Sequence, residues 1–364
     1  MTENKQSISK PNFARETVDK FVLWSTTRIL GLMLGATLTF QRKRMSHNNG
    51  IAAKGTVRIV DNPRFPRHEF FEPGKVFPVR IRHGQATYLD EAMAALRSMS
   101  IKFSNHHLDS PFDLIMNTGE YSLFWSAASF LKLASLRKEH WGVQYIEYYR
   151  KYPVGLKAAQ IGLRRAPSSY VNLRFYTQTP FLFIGKDGIK RYAKYRVVPF
   201  FDEPESGIIE NPCDFDTSNQ RVLPTETKSK LYLSNEYRER IKNGKAKYYL
   251  QIQTREADEE QDNIILNSTI LWDENIYPYH NLAVIEINEA LSWVESLKTS
   301  FSLNHMPKTL GILPSKSLYD FNSLNYMRAN VEIARKARFL SYKLYGYPPP
   351  VPDNDNRNVT EWGD

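Results

Sequence analysis

Eight runs rich in β-branched and aromatic residues recur along this chain, and several of them alternate apolar with polar or charged side chains. This alternation is typical of β-strands that bury one face. The runs are AKGTVRIV near 53, VFPVRIRH near 76, MSIKFSN near 99, FDLIMN near 112, LRFYTQTPFLFIG near 173, KRYAKYRVVPF near 190, KYYLQIQTRE near 247 and LAVIEIN near 282. Because little helix separates several of these runs, we predict a closed, eight-stranded antiparallel β-barrel.

The segments around these runs predict an α+β fold in which helices flank the barrel. Helical patterns lie at 15–35, 86–98, 142–165, 229–243 and 322–346. The segment 201–228 is rich in Pro, Asn and acidic residues, which favours a long surface loop. Since the sequence contains no repeat and no Gly/Ser linker, we expect a single domain over 15–350, with polar, disordered tails at 1–14 and 351–364.

Charge and cysteine content narrow the class of protein. The 364 residues include 49 Lys and Arg against 39 Asp and Glu, which gives a net charge of +10. The basic residues are spread along the chain without a recognised nucleic-acid motif, so we expect no nucleic-acid partner. The single cysteine, Cys213, excludes an intramolecular disulfide framework and a thiolate metal cage, and it fits a reducing, cytoplasmic location.

Residues 21–40, FVLWSTTRILGLMLGATLTF, are long enough to suggest a membrane span. Arg28 lies in the middle of this segment, Glu16 and Asp19 precede it, and the cationic start and cleavage site of a signal peptide are missing. We therefore predict a packed amphipathic helix. The alternative is a helix that rests on a membrane surface as a peripheral contact. The basic residues that would support that contact are Arg42, Lys43 and Arg44.

Common catalytic signatures are missing from the sequence. It contains no Walker loop, dinucleotide fingerprint, HExxH helix or nucleophile elbow. The adjacent pair His106 and His107 precedes an Asp-containing loop, which favours a polar surface turn over a metal site.

Several spaced polar residues remain as candidates for chemistry. They are the run Arg44-Met-Ser-His47-Asn-Asn-Gly50, Arg82 in FPVRIRHG, Asn117 in FDLIMNTGEYSLFW, and the run Arg338-Phe-Leu-Ser-Tyr342. On a helix, the four-residue spacing places Arg338 and Tyr342 on one face. Taken alone, an isolated His and an isolated Asn indicate only ordinary turns.

Longer stretches give these residues a context. The stretches are VRIVDNPRFPRHEFFEPGKVFPVRIRH, MSIKFSN, DLIMNTGEYSLFW, LRRAP, YYLQIQTREA and ILWDENIYP. From about residue 44 to about residue 330 the chain resembles the catalase-related haem proteins, and most of all the haem domain of coral allene oxide synthase. That resemblance implies a catalase-like barrel, haem b as the cofactor and a hydroperoxide as the substrate. The coral domain is fused to a lipoxygenase; none follows in this chain, so we expect a separate lipoxygenase as the hydroperoxide source.

The resemblance also implies roles for the residues on the distal side of the haem. His47 would take the proton of a bound hydroperoxide and pass it to the leaving oxygen, while Asn117 would hold the peroxide by a hydrogen bond. True catalases carry valine before the distal histidine, whereas the coral synthase carries threonine. Ser46 at this position therefore favours a lipid hydroperoxide, because a hydroxyl there can hydrogen-bond the imidazole.

Other matched residues would hold the haem. Arg44 and Arg82 match family arginines that bind the haem propionates. Phe130 falls where an aromatic ring packs against the distal haem face, although a plain core position is an equal alternative. Arg97 also lies in a matched stretch, and we expect it to be structural.

The proximal iron ligand is open between two residues. The local motif RFLSY resembles the catalase ligand run and makes Tyr342 the ligand, with Arg338 as its partner. Reading without interruption from DFNSLNYMR instead places Glu332 at that position, with Arg328 before it. The two candidates are about 15 Å apart along one predicted helix, so only one of them can face the iron unless the helix shifts.

Three functions follow from these observations. The leading hypothesis is a haem enzyme that converts a fatty-acid hydroperoxide to an epoxide. The first alternative is a small catalase or peroxidase that acts on hydrogen peroxide. The second is a non-catalytic haem- or lipid-binding protein on a catalase scaffold.

Overall fold

The computed structural model describes residues 13–42, 44, 46–85, 90–135, 148–209, 222–223 and 225–350. The strands are β1 Gly50–Ile59, β2 Val76–Gln85, β3 Ala95–Lys102, β4 Asp113–Thr118, β5 Leu163–Arg164, β6 Phe175–Tyr176, β7 Phe181–Ile184, β8 Lys190–Pro199, β9 Lys247–Glu256 and β10 His280–Ala290. The helices are α1 Phe13–Gln41, α2 Ala127–Ser135, α3 Pro153–Gly162, α4 Tyr232–Lys242, α5 Asp262–Ile265, α6 Trp293–Lys298, α7 Ser323–Asn330 and α8 Glu332–Tyr345.

The predicted barrel is confirmed. Eight antiparallel strands follow one another around it in the order β1-β10-β9-β8-β6-β4-β3-β2, and the pairing of β2 with both β1 and β3 closes the ring. Strands β5 and β7 lie outside the ring, on β3 and β8. The run predicted as one strand near 173 is divided into β6 and β7, because Gln178 between them has a left-handed backbone with φ of 61°.

Buried apolar side chains from every wall of the barrel form its core. The members include Val57, Ile81, Ile101, Leu114, Phe175, Val197, Leu250 and Ile285. This is the arrangement that strand alternation predicts, since every second side chain of a barrel strand points inward.

Helix α1 packs along α8 through two glycines. A Cβ at Gly31 would lie 2.6 Å from Ile333 Cγ2, and one at Gly35 would lie 3.4 Å from the Cβ of Ala337. The small residues therefore let the two helices approach closely, and together with α7 they form a helical layer. This layer meets the barrel core at Ala329 of α7.

The N-terminal segment forms the predicted helix, α1. The prediction that this helix is amphipathic is wrong. One face of α1 is buried, at Leu23, Thr27 and Leu38, yet the opposite face is also largely apolar. The exposed side chains there are Val18, Phe21, Val22, Trp24, Ile29, Leu32, Met33 and Phe40. Within the described part of the chain, α1 is the one helix that is long and apolar enough to cross a membrane.

Other boundaries differ from the sequence prediction. The helix predicted at 86–98 is wrong over its described residues, since 90–94 contain no helix and β3 begins at Ala95 and pairs with β2 and β4. Residues 86–89 lie outside the described residues. The helix predicted at 322–346 is two helices that meet at Val331, and the short helices α2, α5 and α6 were not predicted. Residues 210–221 of the expected loop, residues 142–147 of a predicted helix, and most of both predicted tails (1–12 and 351–364) lie outside the described residues.

His106 and Arg97 both have the structural roles that the sequence predicts. The ring of His106 lies in an exposed turn, where its Nδ1 accepts a hydrogen bond from the backbone N–H of Asp109 at 3.0 Å. The Arg97 guanidinium is fully buried and donates to the carbonyl oxygens of Glu91 and Met93 at 2.9 and 2.6 Å. Both residues therefore stabilise local structure.

Candidate functional site

A cavity of about 460 Å³ lies between the barrel and the helical layer. This volume is within the range of sites that hold small molecules and cofactors. Its walls come from α1, β3, β4, α2, α7 and α8. The residues that the sequence singled out and that line the cavity are Arg44, Ser46, His47, Arg82, Asn117, Phe130, Arg328, Glu332 and Arg338. Tyr342, the predicted iron ligand, is not among the lining residues, whereas its rival Glu332 is.

His47 is held in an uncommon backbone conformation immediately before β1. Its φ is 61°, in the left-handed region that non-glycine residues rarely adopt. Its Nδ1 lies 2.6 Å from Ser46 Oγ, so the neighbouring hydroxyl fixes the orientation of the ring. Such strain is typical of residues whose position serves a function.

The last position of the R-x-x-H-x-x-G pattern formed by Arg44, His47 and Gly50 requires glycine. A Cβ at this residue would lie 2.2 Å from the carbonyl oxygen of His83 and 2.9 Å from the guanidinium carbon of Arg82. Only glycine leaves room for β1 to pass so close to β2. The spacing of the pattern thus places His47 and Arg82 at the same end of the barrel.

Asn117 and Phe130 approach the cavity from two other elements. Asn117 lies at the end of β4, where its backbone is opposite Ser98 of β3. Phe130, on α2, packs edge to face with Phe124 at 5.0 Å between ring centroids. Phe130 both lines the cavity and packs against the hydrophobic cluster around Leu324, so the two alternatives for this residue are compatible.

Three arginines converge on one side of the cavity, and we call Arg44, Arg82 and Arg338 the arginine cluster. Arg82 and Arg338 are buried, and Arg44 is half-buried. Arg44 Nη2 donates to the carbonyl oxygens of α6 residue Leu297 at 3.1 Å and of Thr299 at 2.6 Å, at the negative end of that helix. Arg82 Nη2 donates to a backbone carbonyl at 3.0 Å, and Arg338 Nη2 donates to a serine hydroxyl at 3.1 Å.

The arginine cluster concentrates positive charge away from water. Burial and mutual repulsion lower the pKa of Arg44 and of Arg338 to about 9, and that of Arg82 to about 10. The Nε atom of each has no hydrogen-bond partner among the described residues. Because buried charges are costly unless they are paired, this side of the cavity favours an anionic ligand.

Tyr342 is the one anionisable side chain that acts on all three members of the arginine cluster. Its hydroxyl is buried, and no described residue is hydrogen-bonded to it. The ring is held by Phe339, at 6.0 Å, and Tyr347, at 4.9 Å between centroids.

Glu332 lies at the opposite end of α8 from Tyr342. Its carboxylate accepts hydrogen bonds from Asn304 Nδ2, at 2.8 Å, and from Arg335. Burial alone would raise the pKa of Glu332, but these two hydrogen bonds lower it below its usual range. The carboxylate of Glu332 is thus already satisfied, whereas the Tyr342 hydroxyl is not.

Sequence reasoning missed a second cavity, of about 260 Å³, on the other side of Gln178. It contains Lys194, whose ammonium lies 4.7 Å from the ring centroid of Trp272 and donates to the carbonyl oxygen of Ile270 at 3.2 Å. Burial lowers the pKa of Lys194 to about 7. Ala193 and Tyr195 of the KRYAKYRVV run enter the barrel core, so alternation places Lys194 on the outer face of β8, and no sequence signal indicated its burial there.

The chain is similar to known proteins over most of its length, although no family model matches it. It is 36% identical over 308 residues to the allene oxide synthase-lipoxygenase protein of Plexaura homomalla, a match that covers 82% of this chain and 28% of that protein. The chain is catalase-related. This confirms the family resemblance that the sequence motifs indicated.

A second relative of this catalase-related chain is the linolenate 9R-lipoxygenase of Nostoc sp. The two are 28% identical over 341 residues, which are 89% of this chain and 42% of the relative. The chain therefore spans less than half the length of either protein.

Proposed function

We propose that this catalase-related chain binds haem b and converts a fatty-acid hydroperoxide to an epoxide. The observation that carries the proposal is the cavity in which His47 and Asn117 lie together with the arginine cluster. Both relatives are also named as enzymes of fatty-acid oxygenation.

The residues present fit a haem. The unsatisfied Nε atoms of the arginine cluster could bind its propionates, and the unsatisfied hydroxyl of Tyr342 could ligate its iron as a phenolate beside Arg338. When bound, haem supplies the iron chemistry that breaks an O–O bond. Glu332 is the weaker ligand candidate, because its carboxylate already accepts hydrogen bonds from Asn304 and Arg335.

His47 would move the proton of the hydroperoxide. If Nδ1–H donates to Ser46 Oγ across the observed 2.6 Å, the Nε2 lone pair is left to accept that proton and return it to the leaving oxygen. The Asn117 amide would donate a hydrogen bond to the peroxide and hold it near the imidazole.

The remaining lining favours a lipid over hydrogen peroxide. Most of the cavity wall is apolar. An acyl chain would be buried favourably against such a surface, whereas hydrogen peroxide is small and hydrophilic and would gain nothing from it. The side chains that would contact an acyl chain are Leu30, Leu38, Ile115, Leu123, Phe124, Leu133 and Met327.

Helix α1 could connect the cavity to a lipid source. Its inner side chains Leu30 and Leu38 line the cavity, while its outer face exposes apolar side chains such as Phe21 and Leu32. We propose that this outer face rests on a membrane surface, with the hydroperoxide supplied by a separate lipoxygenase.

One set of measurements tests the proposed activity. The purified protein should take up about one haem per chain and consume linoleic acid hydroperoxide faster than hydrogen peroxide. His47→Ala should lower that turnover by roughly 10²–10⁴-fold, whereas His106→Ala, in an exposed turn, should not. Faster oxygen release from hydrogen peroxide would support a catalase instead, and a protein that stays colourless with added haemin would support a non-catalytic scaffold.

A further inference from the structure

Arg328 and Arg335 also line the cavity, in addition to the arginine cluster, and Arg335 is paired with Glu332. Arg328 is on a different element from every member of the arginine cluster. It is on α7, between Leu324 and Val331, which also line the cavity. These two residues belong to an apolar cluster that includes Phe124 and Phe130. Arg328 thus brings a positive charge to an otherwise hydrophobic stretch of wall.

The Arg328 guanidinium has no counter-ion among the residues that the structure describes. No described residue forms an ion pair or a hydrogen bond with Arg328, although Glu332 follows it by one helical turn. The carboxylate of Glu332 is instead held by Asn304 and Arg335. Burial lowers the pKa of Arg328 to about 10, so the side chain is still charged at neutral pH.

Arg328 is also electrostatically separate from the arginine cluster. The charge of Arg82 lowers the pKa of Arg44, that of Arg338 lowers the pKa of Arg82, and that of Arg44 lowers the pKa of Arg338. Arg328 is not among the charges that perturb these three pKa values. The shift of Arg328 comes from burial alone. The cavity wall thus carries the positive charge of Arg328 on α7 in addition to the arginine cluster, which has no member on that helix.

We propose that Arg328 binds the carboxylate of the fatty-acid substrate. The inference rests on the proposed function. It gives a binding site to the carboxylate end of the substrate, whereas His47 acts on the hydroperoxide group. A guanidinium can hold a carboxylate through two parallel hydrogen bonds, and the apolar side chains around it would cover the adjoining methylene groups. Free fatty acids would then be preferred over their esters.

Binding of linoleic acid and of methyl linoleate tests this assignment without any turnover. In calorimetric titrations, Arg328→Met should weaken binding of the acid by roughly tenfold to a hundredfold, the effect expected for hydrogen bonds between charged groups. Binding of the methyl ester should not change. Arg328→Lys should retain part of the preference for the acid, and Arg28→Met, at an exposed position of α1, should match the wild type.

Turnover gives the second readout. With hydroperoxides of the acid and of its methyl ester, Arg328→Met should lower kcat/KM for the acid alone. Equal losses for acid and ester, or no loss for either, would overturn the assignment. Loss of bound haem with an unchanged preference for the acid would make Arg328 a cofactor ligand, which also overturns it. A protein that binds linoleate through Arg328 but turns over no hydroperoxide would contradict the proposed function and leave the binding site standing.

Discussion

Ser46 Oγ and His47 Nδ1 lie 2.6 Å apart, and this contact decides which ring nitrogen can act on a substrate. One hydrogen bond occupies Nδ1, so Nε2 is the nitrogen that can exchange a proton with a bound peroxide. In the proposed reaction, Ser46 would thus be a positioning residue for His47.

Loss of that hydroxyl should slow the reaction without abolishing it. Ser46→Ala should lower kcat/KM for a fatty-acid hydroperoxide by roughly three- to tenfold, as expected for one hydrogen bond, and shift its pH profile, because the imidazole loses its partner. Ser46→Thr keeps a hydroxyl and should restore both. Wild-type rates and an unchanged pH profile in Ser46→Ala would remove Ser46 from the mechanism.

The proximal ligand can be decided by two substitutions on α8. Tyr342→Phe should abolish or shift the absorption spectrum of the haem complex, because the phenolate beside the arginine cluster is lost. Glu332→Gln should leave the spectrum nearly intact, since its carboxylate is already hydrogen-bonded by Asn304 and Arg335. Haemin titrations of the purified variants measure both effects. The opposite result would move the ligand to Glu332.

Removing one charge from the arginine cluster should have opposite effects on the protein without and with its cofactor. Arg82→Met relieves the repulsion between buried cations and should raise the free energy of unfolding of the haem-free protein by about 1–4 kcal/mol. The same change should weaken haem retention, because one propionate partner is lost. Arg58→Met, at an exposed position of β1, is the matched control. Chemical denaturation and the haem content on purification are the measurements, and a variant that is less stable yet retains haem would contradict the prediction.

Lys194 should make stability depend on pH. Its pKa falls from 10.5 to about 7 on folding, so the unfolded chain holds the proton more tightly and stability rises with pH between those values. Below pH 7 the full cost of burying the charge remains, and Lys194→Met should remove it. The stability advantage of Lys194→Met should therefore shrink by roughly 2–3 kcal/mol between pH 6 and pH 9.

Urea denaturation at the two pH values measures this difference, with Lys308→Met as an exposed control. An advantage that stays constant with pH would show that Lys194 keeps its ordinary pKa.

The exposed face of α1 should bind lipid. The Phe21→Ser/Leu32→Ser double variant should sediment less with phosphatidylserine-containing vesicles than the wild type, because these side chains are 63% and 57% exposed. Ile276→Ser, at an equally exposed apolar residue on the loop before β10, should behave as the wild type. Wild-type protein that stays in the supernatant, or that forms dimers through this face in size-exclusion chromatography, would contradict the prediction.

The barrel could be predicted because its signal is local. Side-chain alternation in runs such as KYYLQIQTRE follows directly from the two-residue period of a strand, and β9 has the predicted bounds of Lys247–Glu256. The helix predicted at 86–98 failed because pairing with β2 and β4 overrides local propensity from Ala95 onward. The apolar outer face of α1 could not be anticipated, since a sequence pattern does not show which side of a helix finds a partner.

For the site, the sequence by itself determined which residues could do chemistry, through the spacing of Arg44, His47 and Gly50 and the flanking motifs. Only the tertiary structure decided which of them share a cavity, because that depends on closing the barrel and packing α8 against it. This packing places Tyr342 among the charges of Arg44 and Arg82, which are distant in sequence. It leaves Arg328, on the preceding helix, without a partner among the described residues, since the electrostatic environment of a side chain is set by neighbours in space rather than along the chain.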